Sequence, residues 1–340
     1  MAPSQYTNKR VLISQIPEGV SPSTSHFRTV SLVQDKPELK DGEVFIKNLT
    51  FSLDPYIRYD FPKGVSESPV VGHAIAEVLE SKNARFPVGS HVFSSAAWEQ
   101  YTHVHEPEFI NDLMLLPEAP AKVPIAAFNG ILGIPGYTAW DALRANGDLK
   151  AGETIYVSSA AGTLGQLVGQ LAKRKGLRVI GSAGSQAKLD FLKNELGYDE
   201  VFNYKTEDKR AALTRLVGEK GLDIFFDVVF DDTVEVALDL LNPHGRILFV
   251  GLLSGHQNQA PPAPKNLINI LFKQLKYVGY LVFERYENLD QFWEEVTPLV
   301  ASGAIQYRDN TLEGGVESLA GYYVKMLNGE YTGKVSVNLV

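Results

Sequence analysis

The stretch from Glu153 to Lys188, ETIYVSSAAGTLGQLVGQLAKRKGLRVIGSAGSQAK, constrains this chain more than any other. Its opening residues Ile155, Tyr156 and Val157 read as a buried strand, and the small residues Ser158 to Gly162 permit a tight turn. Leu164, Leu167, Val168, Leu171 and Ala172 then recur at i, i+3, i+4, i+7 and i+8, the apolar face of a helix that Gly176 stops. A second strand begins at Leu177. Strand, glycine turn, helix and parallel strand form the first unit of a dinucleotide-binding fold, in which the bare amides of the helix start hold a pyrophosphate. Ala160, Gly162 and Gly165 occupy the places of G-x-G-x-x-G, the first glycine having become alanine. Because the glycines alone are a weak signal, the flanking strands and amphipathic helix carry the reading. The competing reading is an ordinary strand-to-helix turn without a ligand.

The end of the second strand indicates which dinucleotide. An NAD-preferring site places Asp or Glu there, against the ribose 2′-hydroxyl. This chain has Gly181-Ser182-Ala183-Gly184-Ser185 instead, and Lys188 follows at the start of the next helix. A 2′-phosphate needs neutral donors and a cation, which Ser182, Ser185, the helix amides and Lys188 supply. The expected cofactor is therefore NADPH. A solvated surface lysine is the alternative for Lys188.

At 340 residues the chain has room for two domains, each with its own core. It contains no cysteine, hence no disulfide and no thiolate metal ligand, which fits a reducing compartment. A net charge of −8 disfavours nucleic acid as a partner. No apolar run approaches the roughly twenty residues that span a bilayer, and MAPSQYTNKR lacks the apolar core of a signal peptide. The expected location is cytoplasmic. The most irregular segment is Gln257 to Lys265, rich in Pro and Ala.

From Val11 to about Val104, short β-like runs separated by Gly, Pro and Asp predict a small, strongly bent antiparallel barrel. From Val123 the pattern becomes helical, with two segments broken at Gly133-Ile134-Pro135-Gly136, a candidate domain junction. Strands are then expected at Ile155 to Ser158, Arg178 to Ser182, Glu200 to Asn203, Ile224 to Val229, Arg246 to Gly251 and Tyr277 to Phe283. Helices between them imply a doubly wound parallel sheet in an α/β protein. After Gly303 the chain is strand-like again around one helix and is expected to rejoin the first domain.

DPYIR at Asp54 to Arg58, WEQY at Trp98 to Tyr101, GIPGYTAW from Gly133, AAGTLGQLVGQLAK from Ala160, GSAGSQAK from Gly181, FNYK from Phe202, GRILFVG from Gly245 and TGKVSV from Thr332 together span nearly the whole chain. In this order they resemble the zinc-free branch of the medium-chain dehydrogenase/reductase superfamily, in particular the prostaglandin reductases and plant 2-alkenal double-bond reductases. The resemblance implies a GroES-like catalytic domain at 1–126, completed by 305–340, and a Rossmann NADPH-binding domain at 127–304. It implies a homodimer, and NADPH-dependent reduction of the carbon–carbon double bond of α,β-unsaturated aldehydes or ketones. It further implies pyrophosphate contacts from Gly162, Thr163, Leu164 and Gly165, and phosphate contacts near Gly184 from Lys188 and Tyr204. Val250, Gly251, Leu252, Leu253, Ser254 and on to His256, with Tyr280, Leu281 and Val282, would line the nicotinamide. The chain departs from the group at three places. Asp227-Val228-Val229-Phe230-Asp231 replaces D-N-V-G-G, so Val228 meets the cofactor without an amide; His256 replaces a tyrosine; Tyr331 replaces an asparagine.

Zinc-dependent relatives use cysteine and a G-H-E turn, whereas this chain reads Gly72-His73-Ala74, so no metal is expected. His103 and His105 share a strand face, but no third ligand accompanies them. No G-x-S-x-G elbow of a serine hydrolase appears. Hydride transfer remains, and hydride arriving at the β-carbon leaves enolate charge on the carbonyl oxygen, which needs donors. The candidates are Tyr56, projecting from the Pro55 turn, His256, in the loop after a sheet strand, and the nicotinamide ribose hydroxyl; a phenol of pKa near 10 stays a donor at neutral pH, and an imidazole near 6.5 can deliver a proton. The alternatives are a packing tyrosine at the barrel mouth and a solvent-facing loop histidine. Leu252, Leu253, Tyr280, Leu281 and Phe283 predict a greasy pocket for a small hydrophobic enal or enone. Two other functions use the same residues: NADPH-dependent quinone reduction, and a non-catalytic NADPH-binding sensor or structural module.

Overall fold

The structure, a computed structural model, describes residues 5–15, 22–59, 61, 67–254 and 263–340. They fall into two compact units, Met1–Gly130 with Asp309–Val340, and Ile131–Arg308.

In the first unit β1 (Gln5–Ile13) pairs antiparallel with β2 (Phe27–Asp35) along its whole length. β3 (Val44–Leu53) is buried on nearly every residue because its two ends feed different cores. Phe51 and Leu53 pack with Val11, Ile13 and Trp98, whereas Val44 and Ile46 pack with Val78 and Val92. β4 (Ser68–Pro69) adds to β1, while β5 (Val71–Ser81) pairs antiparallel with both β3 and β6 (His91–Ala97). β7 (Tyr101–Val104) pairs with β3; α1 (Pro107–Asp112) and β8 (Met114–Leu115), which adds to β6, follow.

The second unit opens with α2 (Ile134–Asn146), then alternates β9 (Thr154–Val157), α3 (Thr163–Arg174), β10 (Arg178–Ala183), α4 (Gln186–Asn194), β11 (Glu200–Asn203), α5 (Lys209–Val217), β12 (Leu222–Asp227), α6 (Thr233–Leu240) and β13 (Leu241–Phe249). α7 (Ile268–Phe272), β14 (Lys276–Gly279) and α8 (Leu289–Ala301) complete it. The sheet order is β11-β10-β9-β12-β13-β14 with every neighbouring pair parallel. Residues are buried on both faces, Ile180, Phe225 and Ile247 in register on one and Ile155, Val179 and Ile224 on the other, which makes this a doubly wound sheet. Strand order reverses between β9 and β12, which opens the crevice where such sheets bind ligands.

The chain then contributes β15 (Asp309–Gly314), α9 (Leu319–Leu327) and β16 (Lys334–Leu339) to the first unit. Its larger sheet runs β15-β16-β3-β5-β6-β8, antiparallel except for β15 with β16. Architecture and class are as expected: an α/β protein with a GroES-like β unit and a Rossmann sheet.

Three strands stop two or more residues short of expectation, each for a local reason. β12 stops at Asp227 rather than Val229, because the Asp227 carboxylate accepts from the amides of Val229 and Phe230 and turns the backbone, Phe230 adopting φ +56°. β13 stops at Phe249 rather than Gly251, since Leu253 N–H and Ser254 N–H bond to the carbonyls of Val228 and Val229. β14 stops at Gly279 rather than Phe283, the Tyr280 side chain being drawn toward α2.

Candidate functional site

At the start of α3 the chain meets the needs of a pyrophosphate. Gly162 is the N-cap, and Gly162, Thr163 and Leu164 are partly exposed. The N–H groups of Thr163, Leu164 and Gly165 lie in the first turn, where a helix offers no internal acceptor. A side chain at Gly165 would meet the Ala160 carbonyl at 2.5 Å, so only glycine lets the helix start this close to the turn. The missing first glycine is compensated from the neighbouring strand: a Cβ at Gly181 would lie 2.8 Å from the Ala160 methyl.

The ends of β10 and β11 assemble a cationic corner. Ser185 is the exposed N-cap of α4, and its side chain makes no capping bond. The Tyr204 hydroxyl and the Lys205 side chain both lie against Gly184. Tyr204 is 43% exposed, which rules out a buried aromatic that merely closes the strand. Burial and then the nearby Lys205 ammonium hold the pKa of Lys188 below the usual lysine value. No ion pair among the described residues uses Lys188 or Lys205. Two ammoniums facing each other without a carboxylate fit an anion of high charge density. Lys205 was not among the residues expected from sequence. Ser182 is a correction: its hydroxyl is buried and bonded to Tyr156 Oη at 2.9 Å, so it serves the sheet interior.

The third cluster lies where β12, β13 and β14 end. Asp227 is buried, with its pKa pushed up to about 6 by desolvation; amides of Phe230 and Val229 and the Ser158 hydroxyl oppose the rise. Its Oδ2 has no hydrogen-bond partner among the described residues. Val228 and Gly251 are in contact, a Cβ on Gly251 falling 2.8 Å from the Val228 carbonyl. Val250 N–H donates to the Asp227 carbonyl and the Ser254 hydroxyl to the Phe230 carbonyl, so 250–254 is fastened along the end of β12. Leu252 is exposed and Leu253 partly so. Tyr280 and Val282 are buried, whereas Leu281 is 58% exposed.

Sequence reasoning missed what holds that last segment. Asp141 of α2, its side chain wholly buried, accepts from Tyr280 Oη at 2.8 Å, Arg285 Nε at 2.9 Å and Arg144 at 2.8 Å. The Arg285 guanidinium also lies over the Tyr280 ring, and these donors keep the Asp141 pKa low despite its burial. The Tyr280 hydroxyl thus belongs to a structural anchor.

In the first unit, Tyr56 stands in a 3₁₀ turn (Pro55–Tyr59) with its hydroxyl 2.8 Å from His73 Nδ1. Tyr331 packs against the core of the same unit. His103 pairs with Glu43 at 2.9 Å, and His105 Nδ1 bonds to the His103 carbonyl. Among the described residues no group of three or more His, Cys, Asp or Glu is placed to hold a metal ion. His256 and residues 255–262 lie outside the described residues.

Comparison with known proteins places these features in one lineage. Residues 163–302 match the family model described as zinc-binding dehydrogenase, and residues 9–111 that described as N-terminal domain of oxidoreductase. The chain is 32% identical over 339 residues to "2-alkenal reductase (NADP(+)-dependent)" of Nicotiana tabacum, covering 97% of each chain. It is 35% identical over 322 residues to "Prostaglandin reductase 1" of Bos taurus, covering 93% of this chain and 94% of that one. The crystal structure of CurA in complex with NADPH from Vibrio vulnificus superposes with a TM-score of 0.85 at 28% identity, covering 98% of this chain and 99% of that chain. The chain belongs to the zinc-independent branch of the medium-chain dehydrogenase/reductase superfamily, in its prostaglandin reductase and 2-alkenal reductase group.

Proposed function

We propose that this protein is an oxidoreductase that uses NADPH to reduce the carbon–carbon double bond of α,β-unsaturated aldehydes and ketones. The observation that carries the cofactor choice is the unneutralised ammonium pair, Lys188 and Lys205, at a strand end without an acid. Lys188, Lys205, Ser185 and Tyr204 hold the 2′-phosphate around Gly184, and the amides of Gly162 to Gly165 hold the pyrophosphate. The segments Val228, Val250 to Ser254 and Tyr280 to Val282 line the nicotinamide ring. NADPH, when bound, supplies a hydride for the β-carbon of the substrate.

The chain's own residues do the rest. Tyr56 donates its hydroxyl hydrogen to the carbonyl oxygen as that atom gains enolate charge. His256 is the second donor and delivers the proton that the α-carbon takes up. Leu252, Leu253, Leu281 and Phe283 offer apolar surface, which suits a small hydrophobic enal or enone. The substrate class named for the tobacco relative, a 2-alkenal, supports this choice.

The protein acts as a homodimer in the cytoplasm. The dimer is supported by β14, the last strand of its sheet, and by Leu267, Ile268, Leu271 and Phe272, exposed by 51% to 75% around α7. Among the described residues no helix is long and apolar enough to cross a membrane.

The test is to mix purified protein and NADPH with panels of enals, enones and quinones and to follow nicotinamide absorbance. Turnover of enals or enones ahead of quinones is expected. Tight NADPH binding with no turnover, or turnover of quinones alone, overturns the reading.

A further inference from the structure

We propose that Arg308 is a positioning residue for the cofactor: it holds the start of α4, which presents Lys188 to the 2′-phosphate, in register with the start of α3, which faces the pyrophosphate. This rests on the cofactor sites proposed above. Two links carry it, one through the main chain of Arg308 and one through its side chain, and both lie within the second unit.

The first link runs to α3. Gln166 and Gln170 are buried on a helix whose other buried residues are apolar or glycine. Burying an amide is costly unless its groups are paired, and these two are paired to one short segment. Gln166 Oε1 accepts from Arg308 N–H at 2.8 Å, while its Nε2 donates to the Arg308 carbonyl at 3.2 Å and to the Ala161 carbonyl at 3.0 Å. One turn on, Gln170 Oε1 accepts from Gln306 N–H at 2.8 Å, while its Nε2 donates to the Gln306 carbonyl at 2.7 Å and to the Gln166 carbonyl at 2.9 Å. Both hydrogens of each amide are thus used. The spacing matches: four residues of helix rise about 6 Å, and two residues of extended chain rise about 6.6 Å. Because Gln166 also reaches Ala161 in the glycine turn, the main chain of Arg308 is locked to the start of α3.

The second link runs to α4. The Arg308 guanidinium lies over the Phe191 ring, 4.3 Å from its centroid, and pairs with Glu195, the C-cap of that helix. Lys188, Phe191 and Glu195 stand at i, i+3 and i+7, one stripe of α4. An exposed ion pair alone is worth little. Here it is joined to a cation over a buried ring, and it springs from a main chain already fixed, so it resists sliding of α4.

One residue therefore ties the helix that carries Lys188 to the helix that carries the pyrophosphate amides. NADPH engages both at once, and its covalent length dictates how far apart they must stand, so holding them in register beforehand lowers the cost of binding. NADH has no phosphate for Lys188 and does not draw on the second link.

Calorimetric titrations of NADPH and NADH compare wild type, Arg308→Leu, Glu195→Ala, Gln166→Leu, Lys188→Ala and the Lys188→Ala/Arg308→Leu double variant, with thermal melts to verify folding. Arg308→Leu should weaken NADPH roughly three- to tenfold and leave NADH within about twofold. Glu195→Ala separates position from charge. It removes a negative charge from α4, so electrostatics alone would tighten NADPH, whereas a loosened α4 weakens it roughly twofold or more. Glu195 is half exposed, so this variant keeps the test available if Arg308→Leu unfolds. Gln166→Leu, which breaks the link to α3, should weaken both cofactors. The double variant should bind NADPH no worse than Lys188→Ala, because Arg308 acts through the helix that presents that lysine. Tighter or unchanged NADPH binding in Glu195→Ala, equal losses of NADPH and NADH in Arg308→Leu, unchanged binding in Gln166→Leu, or additive losses in the double variant each overturn the inference while the cofactor assignment stands. A wild type that prefers NADH, or binds neither, overturns that assignment and the inference with it.

Discussion

Replacing Lys188 with alanine should separate the two nicotinamide dinucleotides. In the structure Lys188 is only partly exposed and its pKa is held down, first by burial and then by Lys205. A 2′-phosphate would relieve that repulsion, so the contact is a charge-assisted hydrogen bond worth about 1.5 to 3 kcal/mol, or roughly ten- to 150-fold in Kd. NADH brings no charge to this corner, and its affinity should be spared. Lys205→Ala should behave alike. The double variant should lose less than the product of the single losses, since both ammoniums serve one dianion. The depressed Lys188 pKa adds a second signature: NADPH raises it on binding, so NADPH but not NADH should take up protons at alkaline pH. Calorimetric titration of both cofactors, in buffers of different ionisation enthalpy, reads both effects. Equal loss of NADH and NADPH affinity would refute the assignment of this corner to the 2′-phosphate.

The Asp141 anchor predicts that Asp141→Ala costs about 2 to 4 kcal/mol in urea unfolding, because three donors, one of them the buried Tyr280 hydroxyl, lose their acceptor; Asp141→Asn should cost less. Burial pushes the Asp309 carboxyl up to about 7 and Asp227 to about 6, so both bind protons more tightly folded than unfolded. Their stabilising contribution is complete below the unfolded value near 3.9 and lost as pH rises through 6 to 7, of order 2 to 4 kcal/mol for Asp309. Asp309→Asn should therefore flatten the fall of Tm between pH 5 and 8; an unchanged slope contradicts the assignment. His256→Phe should lower turnover with enals while leaving NADPH affinity intact, and an unchanged kcat would return His256 to an ordinary loop residue. Phe272→Glu, at a side chain 75% exposed beside the last strand of the sheet, should convert a dimer to a monomer in sedimentation, whereas an unaltered mass would place the dimer contact elsewhere.

What the sequence disclosed follows local periodicity, and what it hid depends on register. Ile155 to Val157 and the spacing from Leu164 to Ala172 were sufficient to read β9 and α3. The buried Gln166 and Gln170 were invisible on that face, because their amides are satisfied by the backbone at Arg308 and Gln306, far along the chain. Lys205 looks like any solvated lysine until the parallel pairing of β10 with β11 brings it beside Gly184. Ser182 misled for a related reason. β10 is buried on both faces, so alternation does not tell which side a hydroxyl takes. Asp141 reads as a stray polar residue in an apolar helix, and only its three donors explain it.

Double-bond reduction is tested most directly by where the hydride goes. Incubating the protein with a simple 2-alkenal and NADPH deuterated at the transferring nicotinamide carbon, then locating the label by NMR, should give a saturated aldehyde with deuterium on the β-carbon alone. Deuterium on the carbonyl carbon of an unsaturated alcohol, or no deuterium in any product, would contradict the account.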